Sequence, residues 1–274
     1  MKLPTFLQGC LLSGAVLCAI PFAFCQAGLP TSQPKMLTIV REYLKPGMAA
    51  DHAKHEAGWP AAYEKAKSPD YYIALSSLTG APQVWYVVPV ESHAALAASM
   101  KREDKDSVLS AELDRLSRRD AEFINGVSVV QAVGRPDLSL GIFPDTAKSR
   151  FYEVITFSVR PGQGDAFEKI AKAYGTARKR VSPDASYRTY SVIAGMVAPT
   201  YLVFISVDDY AKFDQLAAEQ MKVFASLTAE EKAEFDKWRD VVVREETNRF
   251  RLDPIQSYVP KEARAQDPEF WMPK

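Results

Sequence analysis

Two stretches of the sequence decide the fold: Met36-Leu-Thr-Ile-Val-Arg-Glu-Tyr-Leu-Lys-Pro-Gly47 and Phe151-Tyr-Glu-Val-Ile-Thr-Phe-Ser-Val-Arg-Pro-Gly162. They align at an offset of 115 residues, and each is rich in β-forming residues and closes with a basic residue followed by Pro-Gly. Such a run predicts a strand that ends in a turn. Its recurrence indicates an internal repeat.

The alignment continues through the rest of both halves. Tyr72 aligns with Tyr187 and Gly80 with Gly195, and after an insertion at 196–197 the offset becomes 117. Each half is predicted to run through a strand, a helix, a hairpin of two strands, helices and a last strand, which is the ferredoxin-like order. We therefore predict an α+β fold in which tandem duplication of a ferredoxin-like βαββαβ unit forms one intramolecular α+β barrel.

The predicted elements occur in the same order in both halves. The first half has strands at 36–44, 70–78, 83–90 and 127–133, helices at 48–67 and about 107–124, and a short helix capped by Ser92. The second half has strands at 150–159, 186–194, 200–207 and 254–259, helices at 164–180 and 228–247, and a short helix capped by Asp209. The capping box Thr228-Ala-Glu-Glu231 marks the start of the last helix.

The N-terminus has the pattern of a signal peptide. Lys2 precedes an apolar run over residues 6–24, and Cys25-Gln26-Ala27 ends in a small residue suited to cleavage after Ala27. This pattern predicts export to the periplasm or the medium, with no membrane attachment after cleavage. All three cysteines lie in this segment, so the mature chain would have no disulfide and no thiolate metal site. The predicted organisation is a signal peptide (1–27), a linker (28–35), a first repeat (36–141), a linker (142–149), a second repeat (150–262) and a C-terminal tail (263–274).

The charge balance narrows the classes of partner. Lys plus Arg and Asp plus Glu each number 34, so no excess of positive charge favours nucleic acid or an anionic membrane. The sequence also contains no Gly-rich phosphate loop and no HExxH motif. These observations leave small molecules and proteins as the open classes of partner, and they leave the oligomeric state open. The partner that we predict, together with the pocket described below, is a small apolar or aromatic molecule.

The segment Arg41-Glu-Tyr43-Leu-Lys-Pro-Gly47, followed by a predicted amphipathic helix, resembles the opening of NIPSNAP-type proteins. These belong to the dimeric α+β barrel superfamily, which also includes antibiotic-biosynthesis monooxygenases, haem-degrading monooxygenases and chlorite dismutases. The resemblance implies a barrel with ligand pockets between sheet and helices. In chlorite dismutases the axial histidine of the haem lies in the C-terminal unit, and this sequence has no histidine after His93. A haem site of that type is therefore not expected, and the cofactor and the catalytic residues stay unknown.

The two halves differ at one predicted helix–sheet interface. In the second half this interface is apolar, with residues spaced as a buried helical stripe. The aligned pairs are Glu42 with Phe157, His52 with Phe167, His55 with Ile170 and Trp59 with Tyr174. Buried acids and imidazoles need partners, because leaving them unpaired costs a few kcal/mol each. We therefore predict a polar ligand pocket in the first repeat, lined by Glu42, His52, His55, Trp59 and His93.

Several interpretations of the histidine pair remain open. His52 and His55 could satisfy each other structurally, bind a ligand or act as acid–base groups, coordinate a metal with Glu42 or Glu56, or face solvent. The interpretation adopted is an exported small-molecule-binding protein with no metal site. A monooxygenase-like enzyme, cofactor-free or haem-dependent, and a scaffold without ligand are the alternatives.

Overall fold

The computed structural model describes residues 28–272, so the predicted signal peptide lies outside the described residues. Eight antiparallel strands form one closed barrel in the order β1-β3-β2-β8-β5-β7-β6-β4. The strands are β1 Met36–Leu44, β2 Tyr72–Ser77, β3 Gln83–Val90, β4 Ile124–Gly134, β5 Phe151–Val159, β6 Arg188–Ala194, β7 Thr200–Val207 and β8 Val242–Tyr258. This architecture confirms the predicted α+β class.

Helices cover the outside of the barrel and one of its ends. They are α1 Ala49–Glu56, α2 Gly58–Ala66, α3 His93–Lys105, α4 Ser107–Asp120, α5 Gly164–Val181, α6 Lys212–Ala225, α7 Ala229–Phe235, α8 Trp238–Val241, α9 Lys261–Gln266 and α10 Pro268–Trp271. Ser92 caps α3 and Thr228 caps α7, the latter with the predicted capping box. Within residues 28–272, no helix combines the length and the apolar composition needed to cross a membrane.

Both halves have the same strand order. In the first half β4, β1, β3 and β2 are neighbours, and in the second half β8, β5, β7 and β6 follow the same arrangement. Two seams, β2 with β8 and β4 with β6, join the halves and close the barrel. The aligned turn glycines Gly47 and Gly162 also share a left-handed backbone, with φ of +82° and +81°, a conformation that glycine adopts at little cost.

The structure corrects three predicted helices. The helix predicted at 228–247 ends at Val241, and residues 242–247 belong to β8 instead, where they pair with β5. The helix predicted at 48–67 is divided at Ala57 into α1 and α2. Asp209 does not cap the second short helix, because α6 begins at Lys212 after Ala211.

The barrel interior is the main apolar core. One face of each strand points inward, which follows from the alternation of side chains along a strand. The inward side chains include Leu37, Ile39, Leu75, Trp85, Val130, Val154, Leu202, Phe250 and Leu252. Arg41 points the same way, and its guanidinium lies 4.5 Å from the Trp85 ring centroid. The opposite face of β1, which includes Glu42, packs against α1.

The segment after β8 packs against one end of this core. Ala263 and Trp271 are buried with the barrel interior, and the Trp271 indole N–H donates to the carbonyl oxygen of Ala147 at 3.2 Å. Residues 263–272, predicted as a tail, thus contribute to the packed core, together with the predicted linker that contains Ala147.

Candidate functional site

Five ionisable side chains meet between the first half of the barrel and its helices, and we call them the Glu–His cluster: Glu42 of β1, His52, His55 and Glu56 of α1, and Asp120 of α4. His52 Nε2 lies 2.8 Å from Glu42 Oε2 and 3.9 Å from Glu56 Oε1. His55 Nε2 lies 2.9 Å from Asp120 Oδ1 and 3.1 Å from the Leu116 carbonyl oxygen. The predicted proximity of Glu42 and His52 is confirmed.

The cluster is closed to solvent. His52 is 0% exposed and Glu56 is 2% exposed. The ring of Phe123 covers one side, with its centroid 5.3 Å from that of His55 and 6.4 Å from that of His52. The Tyr86 hydroxyl donates to Glu56 Oε2 at 2.8 Å.

Burial and like charges change the ionisation of two of the acids. Burial, with the nearby carboxylates of Glu42 and Asp120, raises the pKa of Glu56 to about 9, although the Tyr86 hydroxyl opposes the shift. Burial and the charge of Glu42 also raise the pKa of Asp120, against the effects of a hydrogen bond with Glu56 and of the imidazoles. Glu56 therefore holds a proton at neutral pH unless another cation takes its place.

Two other residues predicted for the site lie at its margin or outside it. Trp59 packs against the α4 leucines Leu109, Leu113 and Leu116, next to the contact of His55 with Leu116. His93 is exposed at the start of α3, so it does not form a wall of this buried cluster. The prediction of His93 as a wall of the pocket was wrong, because His93 is the first residue of α3 and its side chain faces solvent.

A large cavity lies in the second half, between the outer face of the sheet and the helices, and we call it the sheet–helix cavity. Its volume is about 590 Å³, within the range that holds a drug-sized ligand. Strands β5 to β8 form its floor, and α5, α6, α7 and α8 form its roof. Aromatic side chains dominate the lining: Phe157, Phe167, Tyr174, Tyr187, Phe213, Phe224, Phe235 and Trp238.

A few charged groups reach this aromatic cavity. Arg178 is 5% exposed, and its Nη2 donates to Glu219 Oε2 at 2.6 Å. Its Nη1 is buried and has no hydrogen-bond partner among the described residues. Arg249 is neutralised, because its Nε donates to Glu153 Oε2 at 2.9 Å. Both arginines are thus ion-paired, and Nη1 of Arg178 is a buried N–H donor without an acceptor at the wall of the aromatic cavity.

The sequence analysis predicts a ligand pocket in the first half, whereas the sheet–helix cavity lies at the aligned position in the second half. Phe157, Phe167, Ile170 and Tyr174 were interpreted as ordinary core, and all four line the sheet–helix cavity. The missed residues left one signal in the sequence, which is the accumulation of aromatic side chains on α5, α6 and α7 with Arg178 among them. In the first half the same interface is filled by the Glu–His cluster.

A histidine-ligated haem does not fit the sheet–helix cavity. Its lining includes no histidine, cysteine or methionine, and these are the side chains that hold haem iron in most families. Tyr174 and Tyr187 are the lining residues with a hydroxyl on an aromatic ring, and burial raises the pKa of both. A neutral phenol is a weak ligand for iron.

Comparison with known proteins identifies the fold. No protein-family model matches the chain, and no curated protein matches it. Among solved structures, a candidate monooxygenase from Fusobacterium nucleatum has a TM-score of 0.51 at 8% identity, covering 81% of this chain and 94% of its own. A candidate monooxygenase from Lactobacillus acidophilus has a TM-score of 0.49 at 8% identity over 80% and 93% of the two chains.

A chlorite dismutase variant from Candidatus Nitrospira defluvii has a TM-score of 0.49 at 12% identity, over 82% of this chain and 93% of its own. The Fusobacterium structure supports the ferredoxin-like α+β barrel fold. At this level of identity the likeness concerns the fold alone.

Proposed function

We propose that this protein binds a small aromatic molecule carrying an anionic group in the sheet–helix cavity. The observation that carries the proposal is the unpartnered Nη1 of Arg178, a buried donor at the wall of a cavity of about 590 Å³ lined by aromatic rings. Arg178 is paired with Glu219 through Nη2, but leaving a buried N–H group without an acceptor is costly, and a carboxylate or phenolate of a ligand would satisfy Nη1. Aromatic rings of the ligand would pack edge-to-face with the lining.

Ring geometry in the cavity favours a flat ligand. Phe157 and Trp238 meet edge-to-face with centroids 5.4 Å apart, and Phe224 and Phe235 do so at 5.6 Å. These pairs present ring faces and edges rather than branched aliphatic groups. The expected ligand is therefore planar and apolar, with one negative group placed at Arg178.

A matched pair of fluorescent probes tests this proposal. The anionic probe 1-anilinonaphthalene-8-sulfonate and the neutral N-phenyl-1-naphthylamine share their ring systems. Arg178→Met should weaken the anionic probe roughly 10- to 150-fold, the equivalent of a charged hydrogen bond of about 1.5–3 kcal/mol, and leave the neutral probe unchanged. Lys179→Met is the control, because Lys179 is an exposed cation on the same helix.

A variant that fills the cavity provides a second test of the proposal. Ala171→Trp places an indole among the lining residues, and both probes should then bind at least tenfold more weakly, while the near-ultraviolet circular dichroism of the fold is retained. Unchanged binding of both probes in Ala171→Trp would contradict the proposed site. Native mass spectrometry and a visible spectrum of freshly purified protein would identify a co-purifying ligand.

The proposal includes two further hypotheses, one on the origin of the two halves and one on the location of the protein. We infer that the two halves arose by tandem duplication of a NIPSNAP-like unit, a hypothesis supported by the common strand order and the aligned turn glycines. We also propose cleavage after Ala27 and export. N-terminal sequencing of protein from a fractionated host tests export, and a chain that begins at Met1 in the cytoplasm would contradict it.

A further inference from the structure

The donor atoms of the Glu–His cluster are spaced as metal ligands are. They form two overlapping triads, Glu42 with His52 and Glu56, and His55 with Glu56 and Asp120, and within each triad the donor atoms lie within 4.8 Å of one another. First-row metals bind such atoms at about 2.0–2.2 Å, which separates neighbouring ligands by about 3–4 Å. The distance of 3.9 Å from His52 Nε2 to Glu56 Oε1 agrees with this spacing. The distance of 2.8 Å from His52 Nε2 to Glu42 Oε2 is that of a hydrogen bond, which would lengthen by a few tenths of an ångström around a metal.

Two carboxylate oxygens of the cluster point to a missing cation. Glu56 Oε1 and Asp120 Oδ1 are buried, and among the described residues no N–H or hydroxyl group donates a well-aligned hydrogen bond to either oxygen. The two carboxyl groups can pair with each other only by sharing a proton, which a cation would replace. Glu56 belongs to both triads, so its free oxygen lies where the two meet. His55 approaches Asp120 but aligns its ring nitrogen with the carbonyl oxygen of Leu116. Burying carboxylate oxygens without a donor is costly, and a cation removes that cost.

The charge of the cluster is not balanced by basic side chains. Within residues 28–272, the ion pairs of Glu42, Glu56 and Asp120 are with His52 and His55 and include no lysine or arginine. With neutral imidazoles and a protonated Glu56, Glu42 and Asp120 leave two negative charges in a closed interior. A divalent cation balances these two charges while the imidazoles stay neutral, the form in which they bind metal.

The fold itself does not need these polar groups. At the aligned positions of the second half the chain has Phe157, Phe167 and Ala171, and the same arrangement of strands forms there. A purely structural role would thus be met more simply by apolar side chains, since well-packed hydrophobic groups replace buried ion pairs with little loss or with a gain in stability.

We propose that the Glu–His cluster binds a divalent first-row transition metal, of the class of Zn²⁺, Fe²⁺ or Mn²⁺, with Glu56 as the ligand common to the two triads. Imidazole nitrogen and carboxylate oxygen are the donors that these ions prefer, whereas copper(I) selects sulfur. Coordination by carboxylates with helical histidines is also the arrangement of metal sites inside helical bundles. The site is separate from the sheet–helix cavity and does not depend on a ligand there.

Cobalt titration of the untagged full chain tests the site. After treatment with a chelator, the protein should bind one or two Co²⁺ per chain, with a visible absorption band that Zn²⁺ removes. Glu56→Gln, which keeps the shape of the side chain but weakens both triads, should lower the Co²⁺ affinity at least tenfold. Glu112→Gln is the matched control, because Glu112 is an exposed acid on α4.

A second variant separates loss of the metal from loss of the fold. His52→Phe introduces the residue that the second half has at the aligned position, so packing should be kept while Co²⁺ binding is lost. Near-ultraviolet circular dichroism and binding of the anionic naphthalene probe report whether each variant is folded. Absence of Co²⁺ and Zn²⁺ binding to the chelator-treated wild type, or unchanged affinity in both variants, would overturn the proposal.

Discussion

Glu56 should make the stability of the metal-free protein fall as the pH rises. Its pKa is raised from 4.5 to about 9 in the folded state, the reverse of the usual behaviour of a carboxyl in a salt bridge. Between these two values the folded protein keeps a proton that the unfolded chain releases, so unfolding becomes more favourable with each unit of pH. At pH 7 the difference corresponds to about 3 kcal/mol relative to pH below 4.5.

Burial and the neighbouring carboxylates raise the pKa of Glu56, and the Tyr86 hydroxyl opposes this shift without cancelling it. Glu42 from β1 and Asp120 from α4 repel its charge, His52 from α1 faces it, and Tyr86 from β3 donates to it. The raised pKa of Asp120 adds to the loss of stability at higher pH. Glutamine at position 56 would still accept from Tyr86 and could donate to the neighbouring carboxylates, while it carries no proton to lose.

Glu56→Gln should therefore stabilise the protein by about 1–3 kcal/mol at pH 7 and flatten the dependence of stability on pH between 5 and 8. Guanidinium unfolding at several pH values, in the presence of a chelator, measures both quantities. Glu112→Gln should leave the pH dependence unchanged. Our account is refuted if Glu56→Gln loses stability at pH 8 and keeps the slope of the wild type.

Two further substitutions test the barrel and its closed end. In Gly195→Ala, the added Cβ would lie 2.0 Å from the carbonyl oxygen of Val129 at a φ of +88°. We expect the free energy of unfolding to fall by more than about 2 kcal/mol. In the comparison variant Gly162→Ala, which has a similar φ and no atom within 4 Å of the added Cβ, it should fall by only about 1 kcal/mol. Trp271→Ala should cost about 3–5 kcal/mol, because this residue is buried in the barrel core. Urea unfolding measures all three variants, and a loss below 1 kcal/mol for Trp271→Ala would show that the C-terminal segment is not part of the core.

The strands could be predicted because apolar and polar side chains alternate along them and turn residues mark their ends. The run from Met36 to Leu44 was predicted with its observed bounds, and Pro-Gly turns end the first strand of both halves. The exception is the first part of β8, residues 242–253, which was not predicted as strand. Within it Arg244, Glu245 and Glu246 suit a helix by propensity. Pairing of this stretch with β5 overrides that local preference, as tertiary contacts often do.

The candidate sites could be predicted only in part, because sequence records which residues face each other and not the space between them. Comparing the halves identified Glu42 and His52 as an unusual polar pair, since the aligned residues are Phe157 and Phe167. The same comparison could not show that the phenylalanines line a cavity. An aromatic stripe has the same helical spacing whether the helix lies close to the sheet or stands away from it.

The two seams that close the barrel lie within a single chain. A barrel assembled from two identical copies would form only above a certain protein concentration, and any substitution in it would appear twice, once on each side. Because each half of this barrel has its own stretch of sequence, a substitution in one half does not occur in the other. That freedom allows one interface to become a densely charged interior while its opposite stays hollow and aromatic.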